Sequence, residues 1–285
     1  MNEETRKKIS ESVKLAFAKK KSAIVDEEVR EDVFDEENIT PIRMADQSFP
    51  PDLFRSMETG KPIDLLFTED GGVPKACNYM LIGDPGIGKS TVSLDIISDL
   101  ALEGYNVLFI SAEMTRIDLH KYVQRYPKFG LVNVIFVADY LDTDPKKFLK
   151  KSLDPGYDIV LIDSFAELQS HLKESSGIST NTAEKWITTS MLKHNSGKNK
   201  SQTNTTFICI QQVTKDGVQL GTNRLKHAMT GMIELRKDKE TGDSYIEFTK
   251  NRRGELNKRM YYSLSVTGDV RYNLNRFIEE IIVSH

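Results

Sequence analysis

The chain has 285 residues, enough to bury a substantial core in one large domain with a tail or in two small ones. It is 39% hydrophobic and 28% charged, an ordinary globular balance, and its net charge of −3 excludes a global basic field for nucleic acid. Any nucleic-acid contact has to come from local basic loops. No apolar run approaches the roughly 18–20 residues that span a membrane, and the N-terminus has no apolar signal-peptide core. Cys77 and Cys209 sit in separate apolar runs and form no C-x-x-C pair, so they read as buried thiols in a reducing compartment rather than as a zinc site. A cytoplasmic protein with no membrane partner is expected.

Residues 1–21 predict a short basic amphipathic helix with Ile9, Val13, Ala16 and Phe17 on one stripe. Residues 26–38 are strongly acidic, so this arm is either a solvated tail or a docking helix for a neighbouring subunit, a partner protein or DNA. Residues 39–60, with Pro41, Pro50 and Pro51, read as a linker. The expected division is an arm and linker at 1–45 followed by one domain at 46–285.

From about residue 76 short apolar runs alternate with helical stretches. Strands are predicted at Tyr79–Ile82, Val107–Ser111, Val134–Val137, Ile159–Ile162 and Phe207–Ile210, and helices at 89–102, 115–125, 145–152 and 181–194. Near-continuous apolar strands alternating with helices mean an α/β fold with a mainly parallel sheet covered on both faces. After residue 228 strands at Met232–Arg236 and Tyr245–Lys250 flank a turn with Thr241-Gly242-Asp243, and Met260–Val266 is followed by a second Thr-Gly-Asp turn at 267–269, which predicts an antiparallel extension.

Between the first strand and its helix lies Gly83-Asp84-Pro85-Gly86-Ile87-Gly88-Lys89-Ser90, followed by Thr91. Glycines let successive backbone N–H groups curl around phosphates, and the helix start adds its positive dipole end. The pattern predicts an ATP site in which Lys89 reaches the β- and γ-phosphates, Ser90 takes Mg²⁺ and Thr91 supports the loop or nears the α-phosphate. Asp163 ends an apolar strand at the sheet edge that faces ligands and is a candidate to hold magnesium through water, or simply begins a loop. Glu113 ends another strand. A carboxylate there can orient and deprotonate an attacking water, or cap the following helix.

These stretches resemble the RecA-like P-loop ATPases and, among them, the RadA (Sms) branch-migration proteins, with DnaB-type replicative helicases next. The residues that carry the resemblance are GDPGIGKST at 83–91, FISAEM at 109–114, VLIDS at 160–164, QQVTKDG at 211–217 and KNRRG at 250–254. The resemblance implies a catalytic role for Glu113 and a γ-phosphate sensor at Gln212. It also implies that Lys250 and Arg252 reach the ATP of a neighbouring subunit. Arg253 stands where the family motif has Phe. The four-cysteine module and the Lon-protease-like domain of RadA proteins are not matched, so a core-only relative of the phage type is expected, in a bacterial or phage-infected cell. The implied function is a DNA-dependent ATPase of recombination, repair or replication in a homo-oligomeric, hexameric ring. It would engage single-stranded or branched DNA through loops at 167–183 and 214–226. The alternatives are a DnaB-type helicase and a KaiC-like, partner-driven ATPase that leaves DNA aside.

Overall fold

A computed structural model describes residues 41–211, 223–265 and 269–278. The predicted basic helix and acidic stretch lie outside them. The chain divides into two units, Met1–Phe49 and Pro50–His285. In the first, the described residues are all exposed and carry one 3₁₀ turn, Met44–Asp46, with Arg43 paired to Asp46.

The second unit holds a nine-stranded sheet among the described residues, in the order β3-β2-β4-β5-β1-β6-β7-β8-β9. Strands β1 (Asn78–Gly83), β2 (Val107–Ser111), β3 (Asn133–Phe136), β4 (Ile159–Asp163), β5 (Thr206–Ile210) and β6 (Gly231–Lys237) run parallel. Strands β7 (Ser244–Asn251), β8 (Arg259–Leu264) and β9 (Val270–Tyr272) continue it antiparallel. The predicted mainly parallel α/β fold with an antiparallel extension is the observed one.

Helices cover both faces. They are α1 (Asp64–Phe67), α2 (Lys89–Leu102), α3 (Arg116–Arg125), α4 (Pro145–Leu153), α5 (Phe165–Ser176), α6 (Thr180–Asn195) and α7 (Asn223–Ala228). Side chains on a strand alternate between faces. Tyr79, Leu81, Phe109, Leu161 and Ile208 pack with α1, α2 and α3. Met80, Ile82, Leu108, Val160, Ile162 and Phe207 pack with α4, α5, α6 and α7. Burial on both faces is why these strands read as continuous apolar runs rather than as alternating ones. Cys77 and Cys209 are both buried and free.

Two expectations fail. Residues 167–183, expected as a loop, form most of α5 and the start of α6. Phe165, Leu168 and Leu172 are buried at helical spacing, the Ser164 hydroxyl accepts from Glu167 N, and Gly177 closes the helix in the left-handed region. The Ser/Thr-rich stretch that looks like loop is the junction of two caps, since Ser179 Oγ accepts from Thr182 N at 3.1 Å to begin α6. The expected linker also stops short of residue 60. Met57 is fully buried and pairs with Val73 through two backbone hydrogen bonds of 2.8 and 2.7 Å.

Helix α2 starts at the phosphate loop and carries two buried acids, Asp95 and Asp99. Asp95 is wholly inaccessible. It is met by Lys128 at 2.6 Å, by Lys61 at 3.3 Å, by the Val270 N–H and by the Tyr272 hydroxyl. Lys128 and Lys61 also bind Asp99, at 2.6 and 2.9 Å. Burial alone depresses the Lys128 ammonium, but Asp95 and Asp99 overcome it and hold it above the usual lysine range. The cluster ties α2 to the segment before α1, to the 3₁₀ turn Pro127–Leu131 and to β9. Breaking a buried ion pair leaves an uncompensated charge. Asp95→Ala should therefore cost about 3–5 kcal/mol of unfolding free energy by urea titration, and a loss well under 1 kcal/mol would show that the cluster does not hold the helix.

Candidate nucleotide site

The carboxyl ends of β1, β2, β4 and β5 lie at one edge of the sheet, because all four strands are parallel and paired in register. The phosphate loop leaves β1 there. Gly88 begins α2 with φ +105°, in the left-handed region open to glycine, and a Cβ on it would lie 2.6 Å from Leu264 Cδ1. Gly83 approaches the next strand so closely that a Cβ would lie 2.6 Å from the Leu235 carbonyl oxygen. Asp84, Pro85 and Gly86 are exposed, whereas Ile87 and Thr91 are buried and anchor the loop to the core.

The Lys89 ammonium donates to the carbonyls of Gly83 and Asp84, at 2.8 and 3.0 Å, and so folds back across the loop mouth. Burial lowers its pKa, opposed by the charges of Asp163, Glu113 and Asp84. The Ser90 hydroxyl donates to Asp163 Oδ2 at 2.6 Å. Asp163 is 3% exposed. Burial pushes its carboxyl up to about 6, opposed by the Ser90 hydrogen bond and by Lys89 and aided by the Glu113 charge. The Asp163 carbonyl also accepts from the N–H groups of Ala112 and Glu113, at 2.7 and 3.2 Å. That pair of bonds carries the end of β2 to the end of β4 and sets Glu113, which is exposed, beside the loop. The capping alternative for Glu113 is not the one realised. Thr115 caps α3, in a reciprocal box with Asp118.

The structure thus brings together Gly83 to Thr91, Glu113 and Asp163. This set fits a magnesium nucleotide. The N–H groups of a glycine loop at the head of a long helix suit phosphates, and a hydroxyl and a carboxylate already converge where a cation would sit. Gln212 lies outside the described residues. Its neighbour Gln211 is buried at the end of β5 and donates its N–H to the Leu81 carbonyl.

Lys250 and Arg252 are not at this site. Lys250 pairs across from Met232, which lies across from Met80, three residues before Gly83. At about 3.3 Å per residue and about 4.8 Å per strand this places them more than 10 Å from the loop, toward the opposite sheet edge. The Lys250 ammonium donates to the Lys226 and Met229 carbonyls, both at 2.6 Å, and Arg252 donates to the His227 carbonyl at 3.1 Å. Both close the carboxyl end of α7. Of the segment 214–226, residues 214–222 lie outside the described residues and the remainder begins α7.

The sequence reading missed two features of this region. One is the acid pair on α2, whose only trace is Asp95 and Asp99 four residues apart in an apolar helix. The other is Tyr262, whose hydroxyl meets the phosphate loop and which no local signal marks.

In structure, the fold is similar to a KaiC-like protein from Pyrococcus horikoshii, with a TM-score of 0.57 and 19% identity over 77% of this chain and 99% of that one. It is also similar to the flagellar accessory protein FlaH from Methanocaldococcus jannaschii, with a TM-score of 0.54 and 16% identity over 78% and 97%. In sequence, the chain is 30% identical over 216 residues to the DNA repair protein RadA of Chlamydia muridarum, covering 75% of this chain and 45% of that protein. The chain thus has a RecA-like P-loop fold and is similar in sequence to RadA over that part. It is also 27% identical over 202 residues to RadA of Campylobacter jejuni, covering 70% of this chain and 42% of that one. These matches span less than half the length of the curated relatives. No family model matches the chain. Among the described residues no helix is long and apolar enough to cross a membrane.

Because Asp163 is an ordinary carboxyl near 3.8 when unfolded and titrates at about 6 when folded, its ionised form is disfavoured by the fold. Above pH 6 it costs the nucleotide-free protein roughly 3 kcal/mol, a cost absent below the unfolded value, where both states are protonated. Asp163→Asn should therefore raise the thermal midpoint at pH 7, with the gap closing as pH falls toward 4. A gap that does not change with pH would contradict this origin.

Proposed function

We propose that the chain binds ATP with magnesium and hydrolyses it as an oligomeric, DNA-dependent ATPase of recombination or repair. The observation that carries this is the seating of Ser90 Oγ on Asp163 Oδ2 beside Lys89 and Glu113, at the head of a helix that begins at a glycine loop. In this reading the loop N–H groups and Lys89 hold the phosphates. Ser90 and Asp163 hold magnesium, which when bound supplies charge neutralisation on the phosphate oxygens. Glu113 orients and deprotonates the attacking water, and Gln212 senses the γ-phosphate.

Lys250 and Arg252, which lie away from their own loop, are taken to act on a neighbouring subunit's nucleotide, the role the resemblance implies. A cation delivered in this way stabilises transition-state charge and makes turnover depend on assembly, as in a ring of six. The RadA relatives, named as DNA repair proteins, support the DNA-linked reading. The residues of 214–226 are its remaining candidate contact with single-stranded or branched DNA, through Lys215, Arg224 and Lys226.

The helical state of 167–183 favours a second reading. It removes one of the two loops expected to track phosphates, and a KaiC-like, partner-driven ATPase needs neither. Steady-state hydrolysis with and without single-stranded DNA separates the two. Several-fold stimulation that vanishes in Lys89→Ala is the expected result, and turnover indifferent to every form of DNA would move the assignment to the partner-driven reading. ATP-driven unwinding of a forked duplex would instead mark a helicase of DnaB type.

Glu113→Gln should bind ATP normally and hydrolyse it about 10²–10⁴-fold more slowly, as loss of a general base does. Arg252→Ala and Lys89→Ala should each be inactive alone by phosphate release, at least about 10³-fold down. Mixed, they should regain hydrolysis, because Lys89→Ala subunits lend Arg252 to intact loops. No recovery on mixing would place Arg252 outside the trans role.

A further inference from the structure

The antiparallel strand β8, between β7 and β9, reaches the phosphate loop from behind. The Tyr262 hydroxyl donates to the Ile87 carbonyl at 2.8 Å, and the two residues are only 5% and 6% exposed. Two positions on, facing the same way along the strand, Leu264 lies against Gly88, where an added Cβ would meet its Cδ1 at 2.6 Å. The next residue is tied down as well. The Ser265 carbonyl accepts from the Tyr126 hydroxyl at 3.0 Å and from Arg125 at 3.2 Å. A strand far from the loop in sequence therefore forms a fixed wall against its last turn.

Peptide planarity gives this wall a consequence for the ligand side. In a trans peptide the carbonyl of one residue and the N–H of the next point in opposite directions. With the Ile87 carbonyl held by Tyr262, the Gly88 N–H is turned away from β8. Glycine at 88 leaves this peptide free to rotate in the absence of such a restraint. A rotated plane would present a carbonyl dipole where a row of N–H groups is needed for anions. Burial raises the Tyr262 phenol well above its ordinary range, so it remains a donor at every working pH.

We propose that Tyr262 is a positioning residue that holds the Ile87–Gly88 peptide in the orientation that receives phosphate. The proposal rests on the reading of the loop as a nucleotide site. Its test is equilibrium binding of ADP and ATP to the full chain, followed with a fluorescent ADP analogue and by displacement, with magnesium present. Tyr262→Phe keeps the ring and removes the donor. It should weaken ADP and ATP alike by about tenfold, the scale of one net hydrogen bond. At saturating ATP its kcat should stay within about twofold, so that the loss falls on KM.

Tyr261→Phe is the control for damage to the strand. Tyr261 is the adjacent residue of β8, and its hydroxyl bonds Asp238 at 2.9 Å, away from the loop. That variant should bind nucleotide as the natural chain does while losing a similar amount of thermal stability. Wild-type affinity in Tyr262→Phe, or equal weakening in both variants, would overturn the role of Tyr262 and leave the nucleotide site standing. A natural chain that binds neither ADP nor ATP, indistinguishable from Lys89→Ala, would overturn both.

Discussion

The hydrogen bond from Ser90 to Asp163 joins the first turn of α2 to the end of β4, across the one strand that lies between β4 and β1. Two polar groups separated by a whole strand meet at 2.6 Å here because β1, β5 and β4 run parallel and end at the same edge. That condition governs the rest of the fold. Parallel neighbours cannot be joined by tight turns, so each crossover carries a helix, and the helices cover both faces and force the strands to be apolar throughout. The polar chemistry is thereby pushed to the strand ends, where Asp163 and Glu113 gather beside the loop.

The same constraint explains where charge is buried. Helix α2 must begin at the exposed loop and then run along the sheet, so its next turns lie under the segment before α1 and under β9. Its two acids are satisfied there by lysines from either side and by the hydroxyl and N–H groups of β9. Strand β8 meets the loop from the same side, through Tyr262. The antiparallel extension is thus a support for the phosphate loop as well as a continuation of the sheet.

Much of the fold was legible in the chain, for particular reasons. The runs at 79–82, 107–111, 159–162 and 207–210 are short, apolar and separated by amphipathic stretches, and only strands buried on both faces look like that. Helix α5 was not legible. Its buried stripe is the modest Phe165, Leu168, Leu172, and its flanking Ser and Thr residues serve as caps while resembling a loop. The loop, Glu113 and Asp163 could be picked out because each ends or follows a strand, and strand ends are where α/β sheets place their ligands. Tyr262 could not, since it lies 175 residues from Ile87 in sequence and looks like any half-apolar strand residue.

The sequence by itself determined the chemical inventory: a glycine loop ending in Lys89 and Ser90, two acids at strand ends, a basic pair at 250 and 252, and a periodicity that allows one class of fold. These are local properties, set by residue type and spacing along a few turns of chain. Only the tertiary structure decided which of them meet. It seated Ser90 on Asp163, tied Glu113 to the end of β4, carried Lys250 and Arg252 to the other edge of the sheet and set Tyr262 on the Ile87 carbonyl. Strand order and register decide such meetings, and they follow from how the whole apolar surface packs rather than from any one stretch of residues.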